Sequence, residues 1–81
     1  MDLISFTEYL VKSIVKEPDM VKVKKFAGEE ESIILEIIVH EGDMGTVIGR
    51  GGKMANAIRT LVQANAYLLG LKKVKINIDS F

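Results

Sequence analysis

The chain has no cysteine. That excludes a disulfide framework, a zinc knuckle and a thiol nucleophile together, and leaves packing alone to stabilise the fold. It has no excess of either charge: eleven Lys and Arg balance eleven Asp and Glu, for a formal net charge of zero. The molecule as a whole is therefore not a generic trap for nucleic acid or an anionic membrane, and any basic surface must be local. No apolar run approaches the ~18 residues of a membrane span. The opening MDLISFTEYLVKSI sets Asp2 and Glu8 within its apolar run and shows neither a basic leader nor a small-residue cleavage site, so it does not read as a signal peptide, and the expected location is the cytoplasm. Aromatics are scarce. Phe6, Tyr9, Phe26, Tyr67 and Phe81 are all there are, and none pair on one strand face, so the stacking platform of an RRM or OB surface is missing. The one histidine, His40, has no cysteine or second histidine nearby and is expected on the surface at a strand end. No metal site is expected. Nor does any nucleophile–base pair, carboxylate couple or cofactor motif survive a search, so neither an enzyme nor a small-molecule substrate is expected.

What is present is a clear succession of elements. Leu3, Phe6, Leu10 and Ile14 recur at spacings of three and four, an amphipathic helix that Pro18 cannot continue and that is expected to end near Lys16. In VKVKKF, Val21 and Val23 alternate with Lys22 and Lys24, a strand with one wet face. After the tight connection AGEEES, SIILEIIVH is apolar at nearly every position and predicts a central strand covered on both faces. Asp43 is placed to cap a short helix, DMGTVI. KMANAIRTLVQANAYLL then reads as a long helix. Lys53, Asn56, Thr60, Gln63 and Tyr67 form its polar stripe with Arg59 at the border, while Met54, Ile58, Leu61, Leu68 and Leu69 mark its buried side. Gly70 ends it. In the closing strand Val74, Ile76 and Ile78 alternate with Lys75, Asn77 and Asp79. The class is α+β: a mixed sheet with helices on one face and a wetter face opposite, within a single domain over residues 1–81.

Between the two later helices stands Gly49-Arg50-Gly51-Gly52-Lys53. Each glycine inside a helix costs about 1 kcal/mol relative to alanine, so three within four positions mark a deliberate break. A phosphate-binding P-loop needs a glycine where Val47 stands and Ser or Thr where Met54 stands. A dinucleotide fingerprint needs a third glycine at Met54, and a strand before the loop rather than a helix. A plain helix–helix turn fits, yet one glycine would serve it. Three glycines flanked by Arg50 and Lys53 also strip the backbone bare and set two donors where a phosphate can sit, at the start of a helix whose free N–H groups favour an anion.

A further reading is the G-x-x-G clamp of the KH fold, in which a glycine loop between two helices holds the backbone of about four single-stranded nucleotides. Val47-Ile48-Gly49-Arg50-Gly51-Gly52 matches the V-I-G-x-x-G core of KH domains. With GTVIGRGGKMANAIRTLV as its specific part, the whole chain resembles the small bacterial KH-domain RNA-binding proteins of the KhpA type. The order helix-strand-strand-helix-GxxG-helix-strand implies a type II KH domain, because type I would need another strand and helix beyond residue 81. One position departs: Ala55 stands where KH domains commonly carry isoleucine three residues after the clamp, which bears on groove shape and base preference.

The resemblance implies an RNA-binding site in which Gly49, Gly51 and Gly52 admit phosphate, Arg50 and Lys53 add charge, Ile48 and Ile58 form apolar walls, and Asn56 and Thr60 offer polar contacts. Met54 is expected to fill the core. The acidic Glu29-Glu30-Glu31 is expected at the groove rim, narrowing the footprint. Lys22-Lys24-Lys25 and Lys72-Lys73-Lys75 read as solvated strand faces, the second extending an RNA track if the last strand borders the groove. Implied partners are single-stranded RNA and either a second copy or a larger KH-containing protein of the KhpB (Jag) type; implied roles are RNA regulation or chaperoning, cell elongation and division. From another class comes an adaptor module whose glycine loop is inherited architecture. Ala55, Ala57, Ala64 and Ala66, which permit close helix approach, support it.

Overall fold

Each element has one apolar face and needs another element to cover it. The computed structural model describes residues 2–71 and 73–81. Helix α1 spans Leu3–Lys12, capped by the Asp2 carboxylate, which accepts from the Ser5 N–H at 2.8 Å and the Ser5 hydroxyl at 3.0 Å. Those two bonds favour the ionised form and hold Asp2 below the usual carboxylate range.

The apolar spacing predicts a helix to Lys16; α1 stops a turn sooner. The Ser13 hydroxyl bonds back to the Tyr9 carbonyl at 2.6 Å, and the Ile14 N–H reaches only as far as the Val11 carbonyl, which tightens the last turn. The N–H groups of Lys16 and Glu17 are taken instead by the two oxygens of Asp43, each at 3.0 Å. A 3₁₀ turn at Pro18–Met20 then leads into the sheet.

The sheet has three strands: β1 (Lys22–Ala27), β2 (Ile33–Val39) and β3 (Val74–Ser80), in the order β1-β2-β3. β1 pairs antiparallel and β3 parallel with the central β2, as expected of a hairpin followed by a helical crossover. The hairpin turns through Glu30 and Glu31, both at positive φ (53° and 63°), with the Ser32 N–H on the Glu29 carbonyl at 3.0 Å. β2 is central but covered on one face only, a correction to the sequence reading. Leu35, Ile37 and Val39 are fully buried under the helices, whereas Ile34, Glu36 and Ile38 are half-buried on the open face. There Ile34 lies between Phe26 and Lys75, and Ile38 between Lys22 and Asp79, so long neighbours shade the isoleucines without a second layer.

From β2 a 3₁₀ turn, Glu41–Asp43, passes into the short helix α2 (Met44–Ile48). His40 is exposed at the strand end and starts the turn, its Nδ1 accepting from the Gly42 N–H at 3.1 Å. Asp43 does not cap α2. Its backbone is already helical and its buried carboxylate reaches sideways to Lys16 and Glu17. Helix α3 (Lys53–Leu68) crosses to β3 and presses Ala55, Ile58, Val62 and Ala66 inward. Of the five residues assigned to its buried side by hydrophobicity, Ile58 alone is buried; Met54, Leu61, Leu68 and Leu69 are exposed. The alanines explain the choice: with methyl groups at 55 and 66 the helix lies close against its neighbours, and the leucine stripe is left outside. The core gathers Leu3 and Val11 of α1, Leu35, Ile37 and Val39 of β2, Val47, Ile58, Val62 and Ile76.

Candidate nucleic-acid interface

α2 and α3 are separate because the backbone between them is left-handed. Gly49, Gly51 and Gly52 have φ of 76°, 61° and 81°, a region that costs an L-residue roughly 1–2 kcal/mol. The three serve two purposes. A Cβ at Gly49 would stand 2.7 Å from the Met54 Cβ and 2.8 Å from its N, so the chain there is folded tightly against the first turn of α3. Around Gly51 and Gly52 no heavy atom outside the adjoining stretch of chain comes within 4 Å of where a Cβ would be: this peptide is bare and faces open space.

The turn is held from within by the Gly49 N–H on the Gly45 carbonyl (2.9 Å) and the Gly52 N–H on the Gly49 carbonyl (3.2 Å). Arg50 and Lys53 are both exposed on either side of Gly51 and Gly52. No side chain caps α3; the Lys53 N–H is taken by the Arg50 carbonyl, and the N–H groups that follow it in the first turn, with the positive end of the helix dipole, face an outside acceptor. Met54, expected in the core, is instead partly exposed beside the loop, its backbone packed on Gly49.

The other residues singled out from sequence divide. Ile48 is half-buried at the end of α2, next to the loop. Asn56 and Thr60 are exposed one turn apart on α3, the Thr60 hydroxyl donating back to the Asn56 carbonyl at 2.9 Å. Ile58 is only 4% exposed and packs in the core with Val47 and Val62, so it supports the site from beneath rather than forming a wall. Ala55, 2% exposed, puts little bulk under the same surface.

The sequence raised the last strand as a border of the groove without saying which edge would face it; the structure sets the free edge of β3 beside α3. The Ile33 N–H bonds the Lys73 carbonyl and the Phe81 N–H bonds the Val39 carbonyl, so odd-numbered positions of the strand face β2 and Val74, Ile76 and Ile78 turn their peptide groups outward. α3 reaches across to that edge: Arg59 Nε donates to the Ile76 carbonyl at 3.5 Å, and Gln63 Nε2 to the Val74 carbonyl at 3.2 Å. At Ile78, nearer the glycine loop, no side chain among the described residues makes such a bond. α3 is thus tied to that edge at Arg59 and Gln63, and the hollow between the two elements, lined by Gln63, Ala66, Tyr67, Leu71 and Val74, lies toward the end of α3 away from the loop. The signal was a pair of long donors four apart at the border of the polar stripe, ahead of a strand with nothing to pair beyond it.

The acidic tip lies elsewhere. Glu30 pairs with Lys73 at 3.2 Å, and Glu30 and Glu31 line a hollow with Gly70 and Leu71, past the C-terminal end of α3. The glycine loop is at the other end of this 16-residue helix, about 24 Å away at 1.5 Å per residue, more than two Debye lengths in physiological salt. Glu29-Glu30-Glu31 therefore does not border the site, a correction to the sequence reading, and Lys73 does not extend it. Lys75 lies on the open sheet face, and Lys72 lies outside the described residues. Among the described residues no group of His, Cys, Asp and Glu is placed to hold a metal, and no helix is long and apolar enough to cross a membrane.

Residues 5–78 match the family model of the KhpA/KhpB KH domain. The chain is 49% identical over 71 residues to the RNA-binding protein KhpA of Clostridium perfringens, covering 88% of this chain and 92% of that protein. It is 42% identical over 74 residues to that of Chlamydia trachomatis, covering 91% and 90%. Among solved structures it resembles Era in complex with MgGDPNP and nucleotides 1506–1542 of 16S ribosomal RNA, at a TM-score of 0.72 and 20% identity, covering 98% of this chain and 30% of that one. The likeness to Era is one of fold, and this chain spans under a third of Era's length. On the family match and the extent of these identities, the chain belongs to the KhpA/KhpB family of KH domains, with the type II KH fold.

Proposed function

We propose that the protein binds single-stranded RNA, gripping the backbone of about four nucleotides at Gly49–Gly52, and that it acts as a post-transcriptional regulator or RNA chaperone rather than an enzyme. The observation that carries this reading is the unobstructed peptide at Gly51 and Gly52, flanked by Arg50 and Lys53 at the uncapped start of α3. Phosphate oxygens accept from backbone N–H groups only where no Cβ holds them off. The relatives named RNA-binding protein KhpA agree with it. With about two phosphates neutralised, the slope of log K against log salt is roughly −1.4, at about 0.7 per phosphate on a single strand, so affinity is modest and salt dependence shallow.

The test is a titration of fluorescent single-stranded RNA with the wild type and with Arg50→Asp/Gly51→Asp. Because a Cβ at Gly51 meets nothing, and its φ of 61° costs an L-residue only about 1–2 kcal/mol, the variant is expected to melt as one folded species at a lower temperature and to lose binding. Equal affinity in the two proteins would contradict the clamp.

A second observation favours self-association alongside RNA binding. Met54, Ala57, Leu61, Ala64 and Leu68 are all exposed and follow one another at spacings of three and four along α3. Such a seam, large residues alternating with alanines, suits the same helix of a second copy. Zero net charge sets no long-range repulsion between two copies.

A further inference from the structure

We infer that the outer edge of β1 is a docking site for an extended, acidic segment of a partner protein, which joins the sheet as a fourth strand. The Gly28 N–H on the Ser32 carbonyl fixes the phase of the ladder. Lys22, Lys24 and Phe26 therefore turn their peptide groups toward β2, and Val23, Lys25 and Ala27 turn theirs outward. Among the described residues no side chain bonds any of those outward groups, and every residue of the strand but Val23 is exposed. The opposite edge of the sheet is encumbered. There Gln63 donates to the Val74 carbonyl, Arg59 to the Ile76 carbonyl, and the Asp79 carboxylate accepts from the Ser80 N–H at 2.8 Å. No two successive outward residues of β3 are free, so a strand that adds to this sheet meets an open ladder only at β1.

Three lysines choose the occupant. Lys22 and Lys24 stand on the open face of the sheet and Lys25 on the helix side, all exposed. Among the described residues none of them has a carboxylate within 4 Å; Glu36, beside Lys24 in register, stays beyond that distance. A second copy of β1 would set these lysines against their own kind, which keeps two such edges apart. A strand with carboxylates opposite Lys22, Lys24 and Lys25, and an apolar residue opposite the exposed Phe26, complements each of them. RNA suits this edge less well. Phosphate accepts from N–H groups but brings no donor for the outward carbonyls of Val23, Lys25 and Ala27, whereas an extended peptide alternates donors and acceptors at the spacing of β1. Because β1 and β3 flank β2 on opposite sides, a strand seated here leaves the α3–β3 side clear.

The experiment titrates the full chain with a fluorescent peptide, Thr-Ile-Glu-Glu-Val-Glu-Thr, whose antiparallel register sets its glutamates opposite Lys25, Lys24 and Lys22, and follows backbone amides by NMR. The expected result is saturable binding that slows hydrogen exchange at Val23, Lys25 and Ala27. Affinity should fall about tenfold or more when the peptide carries lysine in place of glutamate, and likewise for Lys22→Glu/Lys24→Glu/Lys25→Glu with the original peptide. Lys25→Pro removes an outward N–H and leaves the ladder with β2 whole, so it should melt as a folded protein and bind about tenfold more weakly or worse. A peptide methylated on the nitrogens that face β1 makes the same test without altering the protein, and serves if Lys25→Pro does not fold. No binding of the acidic peptide, undiminished binding of the methylated one, or protection confined to amides outside β1 overturns the inference. So does a titration with oligouridine whose amide changes centre on β1, which would assign the lysines to RNA.

Discussion

Asp43 accepts two backbone N–H groups from residues 27 and 26 positions earlier in the chain while only 3% exposed. It therefore fixes where α1 stops, how the chain enters β1, and where α2 begins. Asp43→Ala would leave the Lys16 and Glu17 N–H groups without their acceptor in a site largely shut off from water, and is expected to cost about 2–3 kcal/mol. Urea denaturation reads this directly; a loss under about 0.5 kcal/mol would mean that water replaces the carboxylate. An acidic residue ahead of a short helix reads from sequence as a cap, because a cap is local. Partners brought from a distant segment leave no trace in the spacing. The glycines of the clamp were legible for the opposite reason: positive φ and a bare peptide are demands that a residue makes of its own backbone.

At the scale of elements, the order of helices and strands was legible, and the side that each turns inward was less so. In α3 two stripes compete, and hydrophobicity favours the leucines, but close approach to the sheet favours Ala55, Ile58, Val62 and Ala66. Closeness of packing is a property of two surfaces and is not written in one of them. The β1–β2 turn carries a local conflict of its own. Glu30 and Glu31 hold φ values of 53° and 63°, the geometry of a type I′ turn that Asn-Gly adopts with ease. Glu30→Asn/Glu31→Gly is expected to raise stability by about 1–2 kcal/mol, seen as a higher melting temperature. The lost Glu30–Lys73 pair is solvent-exposed and offsets little of it. A lower melting temperature would show that the glutamates contribute more than their strain.

Across the whole molecule, charge and apolar surface are separated. The clamp and its two cations lie at one end of α3 and the acidic tip at the other, so the zero net charge conceals a locally basic loop. Along α3 between them runs the exposed seam, which composition could not reveal because the same leucines were needed to predict a core. Sedimentation over a range of concentrations is expected to show a reversible dimer in the wild type and a monomer in Leu61→Glu, since a carboxylate midway along the seam would be desolvated without a partner. A wild type that stays monomeric throughout would leave the seam unoccupied by a second copy.

The central claim is that bare peptide at Gly51 and Gly52 receives the RNA backbone. Amide chemical-shift mapping by NMR during titration with a short single-stranded RNA tests it at those peptide groups. The account predicts the largest, saturable changes at Gly51, Gly52 and Lys53, spreading along α3 toward Arg59. Changes centred on the open sheet face or the acidic tip, with the glycine loop unmoved, would contradict it.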